Sequence, residues 1–193
     1  MSTMKRLLFV VAGLALVVVS LALSQRDAAS SYASSASRDL VQGDGAAVGS
    51  ILPLYETVMG YIIASAEQVP EETLGYRPTP EVRTFGEIVG HVAMSQYWFC
   101  NGATGQDEQP GNFEELTDKA SLLEAIKTAH EYCGEAYAMA DDMAMEELEL
   151  WGETGTRLWV LSYNMAHAWE HYGNLVTYMR ANGMVPPSSQ GGM

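Results

Sequence analysis

The chain has 193 residues, 24 acidic against 10 basic side chains, and a formal net charge of −14. That length suffices for one domain with a sizeable core. The charge argues against a nucleic-acid partner, whose phosphates would repel it.

Lys5 and Arg6 precede an apolar run from Leu7 to Leu23, broken only by Gly13 and Ser20. Ala22-Leu23-Ser24 then puts small residues at the −3 and −1 positions of a cleavage site before Gln25. Residues 1–24 therefore read as a secretory signal peptide. The run is long for a signal core and slightly short for a spanning helix, so an uncleaved N-terminal anchor is the alternative. Either way an exported domain is expected, periplasmic or extracellular, meeting the membrane only through that segment if it is retained. Residues 25–45, rich in Ser, Ala, Gly and Asp, read as a flexible linker.

After residue 50 few Val, Ile or Thr runs alternate, and Ala, Leu, Met and Glu dominate, so an all-α domain is expected over residues 46–189. The first helix is predicted over Ala46 to Gln68, stopped by Val69-Pro70. Residues 70–83 form a loop punctuated by Pro70, Pro78 and Pro80. Thr84 and Glu87 form a T-x-x-E capping box that starts a second helix. Its apolar face gathers Phe85, Ile88, Val89, Val92 and Phe99, with His91 at the margin beside Ser95 and Trp98. Residues 101–117 read as a long polar loop, Asp118 to Asp142 as a third helix, and residues 143–155 as a connection broken by Gly152 and Gly155. The last helix is predicted over Thr156 to Asn182, with Gly183 as its C′ residue and Pro186-Pro187 beyond. Its core stripe is Leu158, Leu161, Met165, Ala168, Tyr172, Leu175 and Met179. A second row, about 100° around, carries Val160, Asn164, His167, His171, Asn174 and Tyr178. Two such rows imply burial over a wide arc, as in a four-helix bundle.

The pentapeptide His167-Ala168-Trp169-Glu170-His171 stacks two imidazoles one turn apart on one helix face. With His91 from a second packed helix, three histidines could share one ion and leave coordination positions open, as a catalytic metal site requires. A histidine near a core margin is more often a hydrogen-bonded core residue, so the pair carries more weight than His91 alone. The pattern is not H-E-x-x-H, because Glu170 is the third residue after His167, which excludes a zincin-type site. Ferritin-like chemistry is excluded by the lack of inward carboxylates. Glu170 falls about 60° outside His167 on the wheel, toward solvent, in a surface or supporting role. Asn174, one turn beyond His171, is placed to hydrogen-bond a metal-bound group or substrate. Trp98 and Tyr178 are candidate pocket walls, set against plain core packing. His130 has no partner at helical spacing, and Arg157 is expected to pair with an acid. Cys100 and Cys133 are either two buried thiols or, given export, a disulfide.

The segments RPTPEVRTFGEIVGHVA (77–93) and HAWEHYGNLVTYMRANGMVPPSS (167–189) resemble the DinB/YfiT-like superfamily. The resemblance implies a DinB-like four-helix bundle with a histidine triad that falls here on His91, His167 and His171. It implies a divalent metal, Zn, Ni or Mn, with water completing the shell, and a small-molecule substrate; homodimers are common. Characterised relatives are thiol-dependent transferases or isomerases whose thiol cofactors are cytoplasmic, and the export signal departs from them. The expected function is a divalent-metal-dependent enzyme, a hydrolase or thiol-type transferase, with a non-catalytic exported metal-binding or sensory module as the alternative.

Overall fold

The computed structural model describes residues 46–190. The signal peptide or anchor expected over 1–24 and the linker over 25–45 lie outside them. Four long helices carry the described domain: α1 (Ala46–Gln68), α2 (Phe85–Thr104), α3 (Lys119–Gly134) and α4 (Arg157–Ala181). α2 packs against both α3 and α4, and α1 does the same from the other side, so α1 and α2 face each other across the bundle diagonal. The core between them is apolar, with Tyr55, Val58, Met59 and Ile62 of α1, Phe85, Val89 and Val92 of α2, Ile126 and Ala129 of α3, and Leu161, Ala168, Leu175 and Met179 of α4 all fully buried. α1 is long and apolar enough to cross a membrane. Its inward face is nonetheless a wall of this core.

The capping box is present as expected. Thr84 accepts from the Glu87 backbone N–H at 3.2 Å, and Glu87 accepts from the Thr84 N–H at 2.7 Å. At the other end α2 runs beyond the expected start of the loop at 101, to Thr104. Gly105 takes a left-handed conformation (φ 80°) there and donates to the Asn101 carbonyl. α4 closes as predicted, with Gly183 at φ 73° just past its end.

The third helix stops at Gly134 instead of continuing to Asp142. The chain tightens into a 3-10 turn, Ala136–Ala138, followed by one helical turn, Asp141–Ala144. Two tertiary contacts reward the break. Tyr137 stacks on Tyr55 at 3.8 Å and donates to the Leu161 carbonyl. The Asp141 carboxylate accepts from the Ala47 N–H at 3.0 Å and so caps α1. The connection over 143–155 corrects the all-α expectation. It contains an antiparallel hairpin, β1 (Glu147–Leu150) and β2 (Glu153–Thr156). Gly155 is a strand residue in it and not a breaker. The hairpin turns through Trp151 (φ 53°) and Gly152 (φ 82°), the doubly left-handed geometry of a type I′ turn. Leu150 rests on α2 where Gly102 has no side chain, since a Cβ there would meet Leu150 at 3.0 Å.

A polar thread crosses the core. Gln96 of α2 accepts through Oε1 from the Tyr55 hydroxyl at 3.0 Å and from the Asn164 amide at 2.9 Å. Beside it, Cys100 and Cys133 are at disulfide distance, with Cα atoms 5.5 Å apart.

Two outcomes test this architecture. Asp141→Ala should cost about 1 kcal/mol, as loss of a helix cap does, and lower the melting temperature by a few degrees. An unchanged melting temperature would contradict the cap. Unreduced protein from an oxidising compartment should take up no alkylating reagent at Cys100 or Cys133. Their bridge would restrict the unfolded chain by about 3–4 kcal/mol in the loop-entropy model, so reduction should lower the denaturation midpoint.

Candidate metal centre

His91 sits mid-way along α2, and His167 and His171 on the facing side of α4. The two helices are packed neighbours, so the three rings meet. Their ligand atoms all lie within 4.8 Å of one another, a three-histidine group able to hold a metal ion. His167 Nε2 lies 3.0 Å from His171 Nε2 and 3.2 Å from His91 Nε2. A metal–nitrogen bond of about 2.1 Å separates cis ligands by about 3.0 Å at a right angle and about 3.4 Å at a tetrahedral one. The spacing of these nitrogens fits that range.

A residue absent from the sequence reading fixes the first ligand. Glu114 accepts from His91 Nδ1 at 2.8 Å and from the Arg83 guanidinium at 3.2 and 3.3 Å. Burial raises the Glu114 pKa, but the hydrogen bonds from Arg83 and His91 outweigh it, and the net shift is downward. An ionised carboxylate can only accept, so His91 Nδ1 carries a proton and the ring turns its Nε2 to the cluster. Glu114 arrives on a 3-10 turn, Phe113–Glu115, inside the segment expected to be a plain polar loop. That turn lies directly on α2 because residue 90 is glycine. A Cβ there would overlap the Phe113 carbonyl oxygen and lie 2.6 Å from the Phe113 carbonyl carbon and 2.9 Å from the Glu114 nitrogen.

Burial, then the neighbouring imidazoles, push His167 down to about 4. Burial and His91 push His171 down to about 4 as well. Both rings are therefore uncharged at neutral pH, the state in which imidazole ligates. Their Nδ1 atoms are buried without a partner. The three rings turn their Nε2 atoms on one another. A single cation satisfies all three lone pairs at once, and the residues fit one.

The other sequence candidates fall around this triad. His171, Asn174, Tyr178, Arg77, Arg83 and Glu170 line a cavity of about 620 Å³. Tyr178 spends its hydroxyl on the Arg83 carbonyl. Glu170 is exposed, as the wheel implies, and still borders this cavity. Trp98 lies edge-on to His91 at 6.3 Å and lines a separate cavity with His167. His130 pairs with Glu56 away from the triad, and Arg157 pairs with Glu146 at 3.0 Å.

A family model for the DinB superfamily matches residues 55–175, which is more than half of the chain. The chain belongs to the DinB superfamily. Its fold is similar to that of a DinB-like protein from Bacillus cereus, with TM-score 0.63 and 16% identity over 71% of this chain and 93% of that one. A DinB-like protein from Bacillus subtilis is similar with TM-score 0.61 and 21% identity, over 75% of this chain and 99% of that one. No curated protein matches the chain.

Two measurements test the centre. Gly90→Ala should displace the Phe113–Glu115 turn, and Glu114→Gln should loosen His91. Each should weaken metal affinity by about 10–100-fold, the usual loss for a group that orients a ligand, with the helical circular dichroism retained. Unchanged affinity in both would remove Glu114 from the centre. The second test concerns pH. His167 and His171 titrate near 4 folded against 6.5 unfolded, so the unfolded chain binds more protons between those values. The metal-free protein should lose stability as pH falls from about 6.5 to about 4. The His167→Gln/His171→Gln variant should show a shallower loss in denaturant titrations.

Proposed function

We propose that this protein is an exported, divalent-metal-dependent enzyme, a hydrolase or thiol-type transferase acting on a small molecule. The observation that carries the reading is the triad itself. Three imidazole nitrogens converge from two helices, with a cavity of about 620 Å³ against one of them. His91, His167 and His171 would hold a Zn, Ni or Mn ion, since imidazole suits all three. When bound, such an ion keeps its full charge on neutral ligands and supplies Lewis acidity, enough to activate a water or a thiol near neutral pH.

The chain's own residues do the rest. Glu114 holds the His91 tautomer and ring orientation through the 2.8 Å bond. Asn174, exposed into the cavity one turn past His171, offers an amide to a bound substrate. Arg77 lines the same cavity and makes no hydrogen bond or ion pair with the described residues. Glu170 borders it as a carboxylate able to exchange protons with solvent. Export is supported by the signal-like residues 1–24 and by the disulfide-distance cysteines, because thiols stay reduced in the cytosol.

Protein purified without an affinity tag should carry about one equivalent of divalent metal per chain. The His91→Ala/His167→Ala/His171→Ala variant should carry none, and chelation should lower the melting temperature of the wild type alone. Full metal content in the triple variant would end the proposal. Among small electrophiles screened with the metal-loaded protein, turnover should disappear on chelation. Asn174→Ala should impair it more than Glu170→Gln, and neither should change metal content. Stoichiometric metal with no turnover of any substrate would favour a non-catalytic metal-binding module.

A further inference from the structure

The second cavity at the triad, about 460 Å³, has a different chemistry from the first. Its walls are Ser95, Trp98, Phe99, Trp151, Tyr163 and His167. No charged side chain lines it, and the Ser95 hydroxyl is already committed to the His91 carbonyl. We propose that this aromatic pocket is the specificity subsite of the metal centre and takes a neutral, flat, apolar group, an aromatic ring, on the molecule presented to the metal. The proposal rests on the metal reading above and adds the substrate class to it.

Three observations carry it. Trp98, Trp151 and Tyr163 are 47%, 59% and 48% exposed, so three of the largest apolar side chains stand open to solvent around one hole. Phe99, 4% exposed, is the floor. It meets Trp151 and Tyr163 edge-on at 5.2 Å each and lies 5.4 Å from the His167 ring. A group held at the triad would therefore have its nearest substituent against these rings.

The second observation is the placing of Trp151. It occupies the first position of a two-residue type I′ turn at φ 53°. Asn, Asp or Gly belongs there, because a large side chain is disfavoured in the left-handed region. The turn gains nothing from tryptophan; the pocket gains a wall. The hairpin is anchored behind it by Leu150 on Gly102 and by the Arg157–Glu146 pair.

The third observation chooses between occupants. A cage of aromatic faces can also hold a cation. Here the pocket opens beside His167, so a divalent ion on neutral imidazoles would repel a second positive charge. No carboxylate lines the pocket to offset that. A neutral ring buries its faces against Trp98, Trp151 and Tyr163 without that repulsion.

The test compares two metal-directed probes that differ only in this group. On nickel-loaded protein, calorimetry should show benzohydroxamate binding at least about tenfold tighter than acetohydroxamate, a typical return for burying one ring. Trp151→Asn suits the turn, gives up the ring contacts to Phe99 and Tyr163, and should fold with the helical circular dichroism of the wild type. In that variant, and in Tyr163→Ala, the preference should fall to less than about threefold. Acetohydroxamate affinity and nickel content should not change. Equal binding of the two hydroxamates to the wild type would overturn the subsite and leave the metal centre standing. A second arm uses metal-free protein and the fluorine NMR linewidth of 4-fluorobenzyl alcohol. Saturable broadening in the wild type but not in Trp151→Asn supports the pocket even if the chain retains no metal, and in that case only the metal reading fails. Tighter binding of phenyltrimethylammonium than of benzyl alcohol would overturn the choice of a neutral group. A dimer that dissociates in Trp151→Asn, with no ring preference in the wild type, would overturn the proposal in favour of self-association.

Discussion

The histidine triad depends on the register of α2 against α4, and one buried amide pair holds that register. Gln96 and Asn164 meet at 2.9 Å where both are fully buried. Sliding one helix past the other would break this bond between two amides buried in an apolar core, at a cost of about 1–3 kcal/mol. Apolar contacts alone tolerate such slips far better, because leucine packs on leucine at several offsets. The amide pair is five residues from His91 on one helix and three from His167 on the other. Fixing it therefore fixes which histidines face each other. Tyr55 extends the same constraint to α1 through its bond to Gln96.

The electrostatics of the centre follow from what surrounds it. The chain is strongly acidic, yet among the described residues only the Glu114 carboxylate contacts a triad ring. That carboxylate is shared with Arg83, so its charge is largely balanced before it meets His91. The other two rings are held neutral first by burial and then by neighbouring positive or imidazole groups, His171 and His91 for His167, His91 and Arg83 for His171. A cation entering the triad would meet nitrogen lone pairs, with no ligating carboxylate to dilute its charge. The two cavities divide the approach to it. One is edged by two arginines, four glutamates and Asn174; the other is aromatic.

Much of this was legible in the sequence. The α1 boundaries, the Thr84–Glu87 box, the Gly183 terminus and the stacking of His167 on His171 follow from local chemistry and helical period, which depend on neighbours within a turn or two; that His91, 76 residues before His167, joins them was implied by the resemblance to the DinB/YfiT-like superfamily. Glu114 did not follow, because its role depends on a loop folding back 23 residues onto α2. The available signals were weak: an apolar Phe113 in a polar stretch, and a glycine at 90 interrupting a good helix face. The end of α3 was missed because its determinants, Tyr55 and the α1 N-terminus, are remote in sequence. The hairpin was hidden for a different reason. Leu148 and Leu150 alternate as a strand requires, but Trp151-Gly152 is not a turn that composition announces.

The cap on α1 has a consequence for the order of events during synthesis. The Ala47 amide is closed by a carboxylate 94 residues later in the chain, as is that of Val48 next to it. α1 therefore emerges from the ribosome with the start of its backbone open and its apolar face unmatched. The partner helices and Asp141 must all follow before it is satisfied. The N-terminal end of α1 is therefore capped only once Asp141 has been made.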